Sequence, residues 1–170
     1  YDSFDVEIQS NYNDDSMDIL VSESQCREYS FSSYLCHPQL ANNELSGPIL
    51  MFMLISYLEK YYPEIRNKCN FMIWPETIGA IAYQYIENNI SEKHFILTCV
   101  GHKNIDLTLL EDKYKTSRLQ RVFESNLISN KIKYRLLPFN NRASDERQLY
   151  FGNNEREVTS LMANPYKPYP

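Results

Sequence analysis

Residues 94–100 (HFILTCV) form a continuous apolar run. The run is too short for an ordinary helix and lacks polar alternation, so it reads as a strand covered on both faces. Such a strand needs helices on either side of its sheet. A chain of 170 residues, 43% apolar and 14% aromatic, has the length for one domain and its core. That composition excludes a disordered or collagen-like chain.

The rest of the chain supplies the expected neighbours. Residues 4–9 and 17–21 alternate apolar and polar around the turn-forming residues 11–15, which predicts a hairpin at a sheet edge. Residues 29–36, 69–74, 132–137 and 157–162 read as strands. Residues 49–62, 77–89 and 116–129 read as helices, and 37–43 and 140–147 as loops. Ser46-Gly47-Pro48 suits a helix start, with Ser46 capping free amides and Pro48 in the first turn. Alternating strands and helices predict an α/β fold, a three-layer α/β/α sandwich around a mostly parallel mixed sheet with antiparallel edge strands.

Other chemistry is limited by composition. Four glycines leave little room for a glycine-rich phosphate loop, and a net charge of −5 supplies no basic surface for nucleic acid. No apolar run reaches the ~18 residues of a membrane span. The start, Tyr1-Asp2-Ser3, resembles neither an initiator Met nor a signal segment, so the chain reads as a cytoplasmic fragment of a longer protein. Cys26, Cys36, Cys69 and Cys99 contain no closely spaced ligand pair and read as buried free thiols.

Ligand sites in such sheets lie beyond the carboxyl ends of the strands. Strand 29–36 ends at Cys36-His37-Pro38, followed by Asn42-Asn43-Glu44; strand 69–74 ends at Trp74-Pro75-Glu76-Thr77; strand 132–137 leads to Asp145-Glu146-Arg147. Together these place a His and several carboxylates on one rim. Imidazole and carboxylate suit zinc, and a further Glu suits a general base for a metal-bound water. Each residue also has a plain reading. His37 can be a surface imidazole, Glu76 a first-turn helix carboxylate, and the 145–147 triplet a solvated cluster or helix start. His94 reads as structural, and Tyr57, Tyr61 and Tyr62 as packing.

The strings YLCHPQLANNELSGP, WPETIGAIAY, TCVG, SDERQ and SLM occur in that order over residues 29–170. In combination they resemble an aminopeptidase-like domain family of bacterial proteins related to zinc-dependent exopeptidases. Its members are often found with surface-polysaccharide genes. The resemblance implies a phosphorylase/hydrolase-like sandwich, with His37 as a metal ligand, Asn43 or Glu44 at the acidic motif and Glu76 as general base. Asn43, Thr77 and Thr98 stand where the wider zinc aminopeptidases carry carboxylates, so at most one zinc is expected. The last ligand of those enzymes, a histidine, would follow Pro170. Asp145, Glu146 and Arg147 would shape a pocket for a small peptide or amide substrate. The rival expectation is a catalytically inactive relative that binds a ligand in surface-glycan assembly.

Overall fold

The computed structural model describes residues 16–37, 39–86, 91–102, 106–114, 117–141, 144–151 and 155–163. Seven strands form one sheet: β1 (Leu20–Ser22), β2 (Tyr29–Tyr34), β3 (Cys69–Trp74), β4 (Lys93–Leu97), β5 (Leu107–Leu110), β6 (Tyr134–Leu137) and β7 (Glu157–Met162). Their order across the sheet is β1-β3-β2-β4-β7-β5-β6. The centre, β3-β2-β4-β7, is parallel throughout, and β1 pairs antiparallel with β3 at one edge. The expected partner of β1, residues 4–9, lies outside the described residues, as does the tail 164–170.

Helices α1 (Ser46–Tyr61), α2 (Pro63–Arg66), α3 (Ile78–Ile86), α4 (Arg118–Ser129) and α5 (Asp145–Leu149) join the strands. The side-chain period of two sorts the core into two layers. Met72, Trp74, Ile96 and Val158 meet Ala80 and Tyr83 of α3 and Leu149 of α5 on one face. On the other face Cys69, Phe71 and Leu97 meet Met51 and Leu58 of α1. Phe95 packs on Phe123 of α4, 5.5 Å between ring centroids. Phe31 stacks between Phe71 and Phe95 at 5.1 and 5.3 Å, tying three adjacent strands together across that same face. This is the expected α/β/α sandwich. The run at 94–100 becomes the central strand β4, though its extended part stops at Leu97.

Several local expectations are corrected. Residues 107–110 (LTLL) were not read as a strand, because four residues carry no measurable period. They form β5, which lies antiparallel to β7 and parallel to β6. Consequently β6 runs against the central strands, and its carboxyl end points away from the rim where β2, β3 and β4 end. Residues 145–149 are a helix rather than a loop. Residues Ala41–Leu45 form a π-helical turn ahead of α1, a distortion frequent at functional sites. Ser46 does not cap α1. Its hydroxyl donates to the Asn42 carbonyl and accepts from the Val100 N–H at 2.9 Å, gripping the exit of β4. Of the cysteines only Cys69 is buried; Cys26 and Cys36 are exposed and Cys99 is intermediate, all four free.

His94 sits in β4 with no solvent exposure, its Nε2 2.8 Å from the Ser32 hydroxyl. Burial, helped by the nearby Arg156 charge, pulls its pKa from 6.5 to about 3. Between those pH values the unfolded chain holds a proton that the folded chain refuses, so stability falls as pH drops through that window. Relative to a His94→Gln variant, unfolding free energy in urea titrations should decline by about 1.4 kcal/mol per pH unit below pH 6.5. A constant difference between the two proteins across this range would contradict the assignment.

Candidate metal centre and active-site rim

The rim beyond β2, β3 and β4 is built around Glu44, which has no solvent exposure. A carboxylate without water needs donors close by. The Cys36 backbone N–H donates to Oε2, and the Asn43 amide NH2 donates to Oε1 at 2.8 Å. His37 Nδ1 lies 3.1 Å from the same Oε1. Asn43 is itself oriented by its oxygen, which accepts from the Tyr34 hydroxyl at 3.1 Å and the Cys99 thiol at 3.0 Å. Thr98 donates to the Tyr34 hydroxyl at 2.6 Å. A buried chain of hydrogen bonds therefore runs from the end of β4 through the end of β2 to the Glu44 carboxylate.

Asn42, Asn43, Ser46 and Gly47 tie the loop to the end of β4. Asn42 Oδ1 accepts from the Gly101 N–H at 2.9 Å. Gly47 lies so close to β4 that a Cβ there would collide with the Leu97 carbonyl oxygen and the Ser33 hydroxyl. Cys99 takes a left-handed backbone, φ 51°, where the chain turns off β4. Each of Asn42, Asn43, Glu44, Ser46 and Gly47 thus has a contact that sets the loop on the strand end.

Beyond β3, the β-branched Thr77 also occupies the left-handed region, φ 65°. Backbone strain of this kind costs on the order of 1–3 kcal/mol and collects at functional sites. Asp145 holds it in place. Its carboxylate accepts the Thr77 N–H at 2.6 Å and the Trp74 indole N–H at 2.7 Å. The preceding residue, Glu76, is half-buried, and its carboxylate accepts from the Ser144 hydroxyl. Burial raises the Cys36 thiol above its usual range, and the surrounding Glu44, Glu76 and Asp145 carboxylates push in the same direction. These three acids and Cys36 therefore share one electrostatic neighbourhood.

The structure brings His37, Asn43 and Glu44 together, while Glu76 lies outside this cluster and is held by Ser144. Asp145 reaches the rim by a route other than a strand end. From the far end of β6 the chain returns through the 3-10 turn Phe139–Asn141 and enters α5 against Thr77. Of the triplet, Asp145 and Glu146 are fully buried and Arg147 is exposed, its guanidinium donating to the Asn140 carbonyl at 3.1 Å. Cys36 was read as one of four buried thiols, yet one ligand atom from each of Cys36, His37 and Glu44 lies within 4.8 Å of the others. Its position directly before His37 at the end of a strand was the available signal. Leu35, Leu45 and Pro75, next in sequence to Cys36, Glu44 and Glu76, line an apolar hollow of about 460 Å³ with Pro48, Phe52 and Trp74.

The rim lies on a mixed α/β sheet that has a solved counterpart. A crystal structure titled "putative peptidase" from Clostridium acetobutylicum superposes with a TM-score of 0.70 at 26% identity, over 89% of this chain and 36% of that one. The chain belongs to the family described as domain of unknown function DUF4910, whose pattern matches residues 14–170. A C. acetobutylicum relative named "putative polysaccharide biosynthesis protein with aminopeptidase-like domain" is 28% identical over 174 aligned positions, covering 97% of this chain and 39% of its own length. The chain thus spans less than two fifths of either relative. Among the described residues, no helix is long and apolar enough to cross a membrane.

Burial lifts the Asp145 carboxyl from 3.8 to about 6 against the pull of the two N–H donors. The folded chain holds that proton where the unfolded chain has released it, so this contribution to stability is full at low pH and is lost as pH rises through about 6. Trp74 is the sole tryptophan, so its fluorescence should titrate with a midpoint near 6, and the transition should vanish in Asp145→Asn. Asp145→Ala, which strands both donors, should lower unfolding free energy by roughly 2–4 kcal/mol in chemical denaturation.

Proposed function

We propose that the chain is the core of a one-metal, aminopeptidase-like hydrolase that cleaves an amide bond in a small peptide or a modified sugar. The observation that supports this reading is the pairing of His37 and Glu44, with donor atoms only 3.1 Å apart, on the sheet rim where Glu76 also follows β3. The donor chemistry fits zinc: an imidazole nitrogen and a carboxylate are ordinary zinc ligands, and the Asn43 amide orients the carboxylate as outer-shell groups do. Zinc bound there would polarise a scissile carbonyl and bring the pKa of its water down to about 7.

The remaining work falls to the chain's own residues. Glu76, exposed on one side and hydrogen-bonded to Ser144 on the other, is placed to accept the proton of the attacking water and return it to the leaving amine. Asp145 fixes the strained turn that carries Glu76 by holding the Thr77 N–H. The apolar hollow beside Leu35, Leu45 and Pro75 would receive an apolar substituent of the substrate. Exposed Arg147 offers a guanidinium for a substrate carboxylate. Thr77 and Thr98 supply no carboxylate for a second ion. The polysaccharide name of one relative supports an amide on a sugar as a substrate to test first.

Thr98 also favours a second reading, since its hydroxyl is committed to Tyr34 where two-zinc enzymes carry an acid. In that reading the rim binds a small amine or amino sugar without turnover. Zinc-loaded chain should cleave aminoacyl and N-acyl amide probes, and Glu76→Gln should lose about 10²–10⁴-fold in rate while keeping its metal content and circular dichroism. Tight binding of an amino sugar with no cleavage by the unaltered chain would establish the non-catalytic alternative.

A further inference from the structure

We infer that Cys36 is a metal ligand, so that the site is a sulfur–nitrogen–oxygen centre made by Cys36, His37 and Glu44. This rests on the reading of the rim as a metal site and goes beyond it by naming a ligand outside the imidazole-and-carboxylate set.

The first support is geometric. Cys36 Sγ lies 3.1 Å from His37 Nδ1 and 3.9 Å from Glu44 Oε1, and the third side of that triangle is 3.1 Å. One zinc bonded to all three, with Zn–S near 2.3 Å and Zn–N and Zn–O near 2.0–2.1 Å, needs separations of roughly 3.3–3.6 Å. The measured sides straddle that range, so movements of a few tenths of an ångström close the site. Three protein ligands on one side leave a fourth position for water or substrate, the pattern of catalytic zinc.

The second support is how the sulfur is held. Glu44 Oε2 accepts the Cys36 backbone N–H, so the group that offers one ligand atom also anchors the residue that offers another.

The third support is charge. A thiolate and a carboxylate balance a divalent ion with no help from Asn43, Thr77 or Thr98, the neutral residues at the usual carboxylate positions. On binding, the ion displaces the thiol proton to solvent and the sulfur–metal bond replaces the sulfur–hydrogen bond. A thiolate also biases the site toward zinc and cobalt over magnesium, calcium and manganese.

The test uses Co²⁺ on the intact, reduced chain, followed by absorption. One ion per chain with a near-ultraviolet sulfur-to-cobalt charge-transfer band is expected. Cys36→Ser should abolish the band and weaken Co²⁺ and Zn²⁺ binding by more than the ~10–100-fold that loss of an outer-shell partner costs. Cys26→Ser should leave the band in place. Stoichiometric cobalt binding without the band, or a band that survives Cys36→Ser, would overturn the inference and leave the metal site standing on His37 and Glu44. Failure of the folded chain to bind either ion would overturn the metal reading and this inference with it.

Discussion

The rim depends on one buried carboxylate. Glu44 is fully removed from solvent. An isolated ionised carboxylate in that position would cost more than a domain of this size can spare. The surrounding sequence answers this with donors from its own neighbour Asn43 and from the Cys36 backbone just past β2, and the His37 Nδ1 lies 3.1 Å from the same carboxylate. The π-helical turn Ala41–Leu45 and the close seat of Gly47 on Leu97 bring the loop down onto the strand ends. A second device operates beyond β3, where another buried acid, Asp145, stabilises a left-handed Thr77 and so fixes Glu76. Two buried carboxylates thus orient two turns, and the candidate chemical groups are carried on those turns.

The parallel centre of the sheet was legible because its strands are unambiguous. Residues 69–74 and 157–162 appear as strands with the expected bounds, since each is a short apolar or alternating run. The rim position of His37, Glu44 and Glu76 followed from strand direction alone. What escaped were features that depend on tertiary partners. The four-residue β5 has no period of its own and becomes a strand only by pairing with β6 and β7. Its insertion reverses β6, so Asp145 arrives at the rim by a return path that no reading of strand ends could anticipate. Ser46 has the composition of a cap, but Val100, distant in sequence, supplies a stronger claim on its hydroxyl.

Cys36 illustrates the same limit at the level of one side chain. Free cysteines are buried on average, and the spacing of the four here matches no thiolate pair. The relevant partners are a nitrogen one residue away and an oxygen eight residues away, brought together by the turn that buries Glu44. Spacing rules built on cysteine pairs cannot register a site with a single sulfur.

The charge arithmetic of the rim links these points to function. Two-ion centres of zinc peptidases need several carboxylates because each ion brings two positive charges. In this chain Asn43 and Thr98 are tied together by the Tyr34 hydroxyl, and Thr77 offers its backbone N–H to Asp145. The Cys36 thiol and the Glu44 carboxylate are gathered on one side, while Glu76 is half-buried and held by Ser144. A single ion placed among them would be neutralised without consuming Glu76, which leaves that carboxylate free to handle a proton.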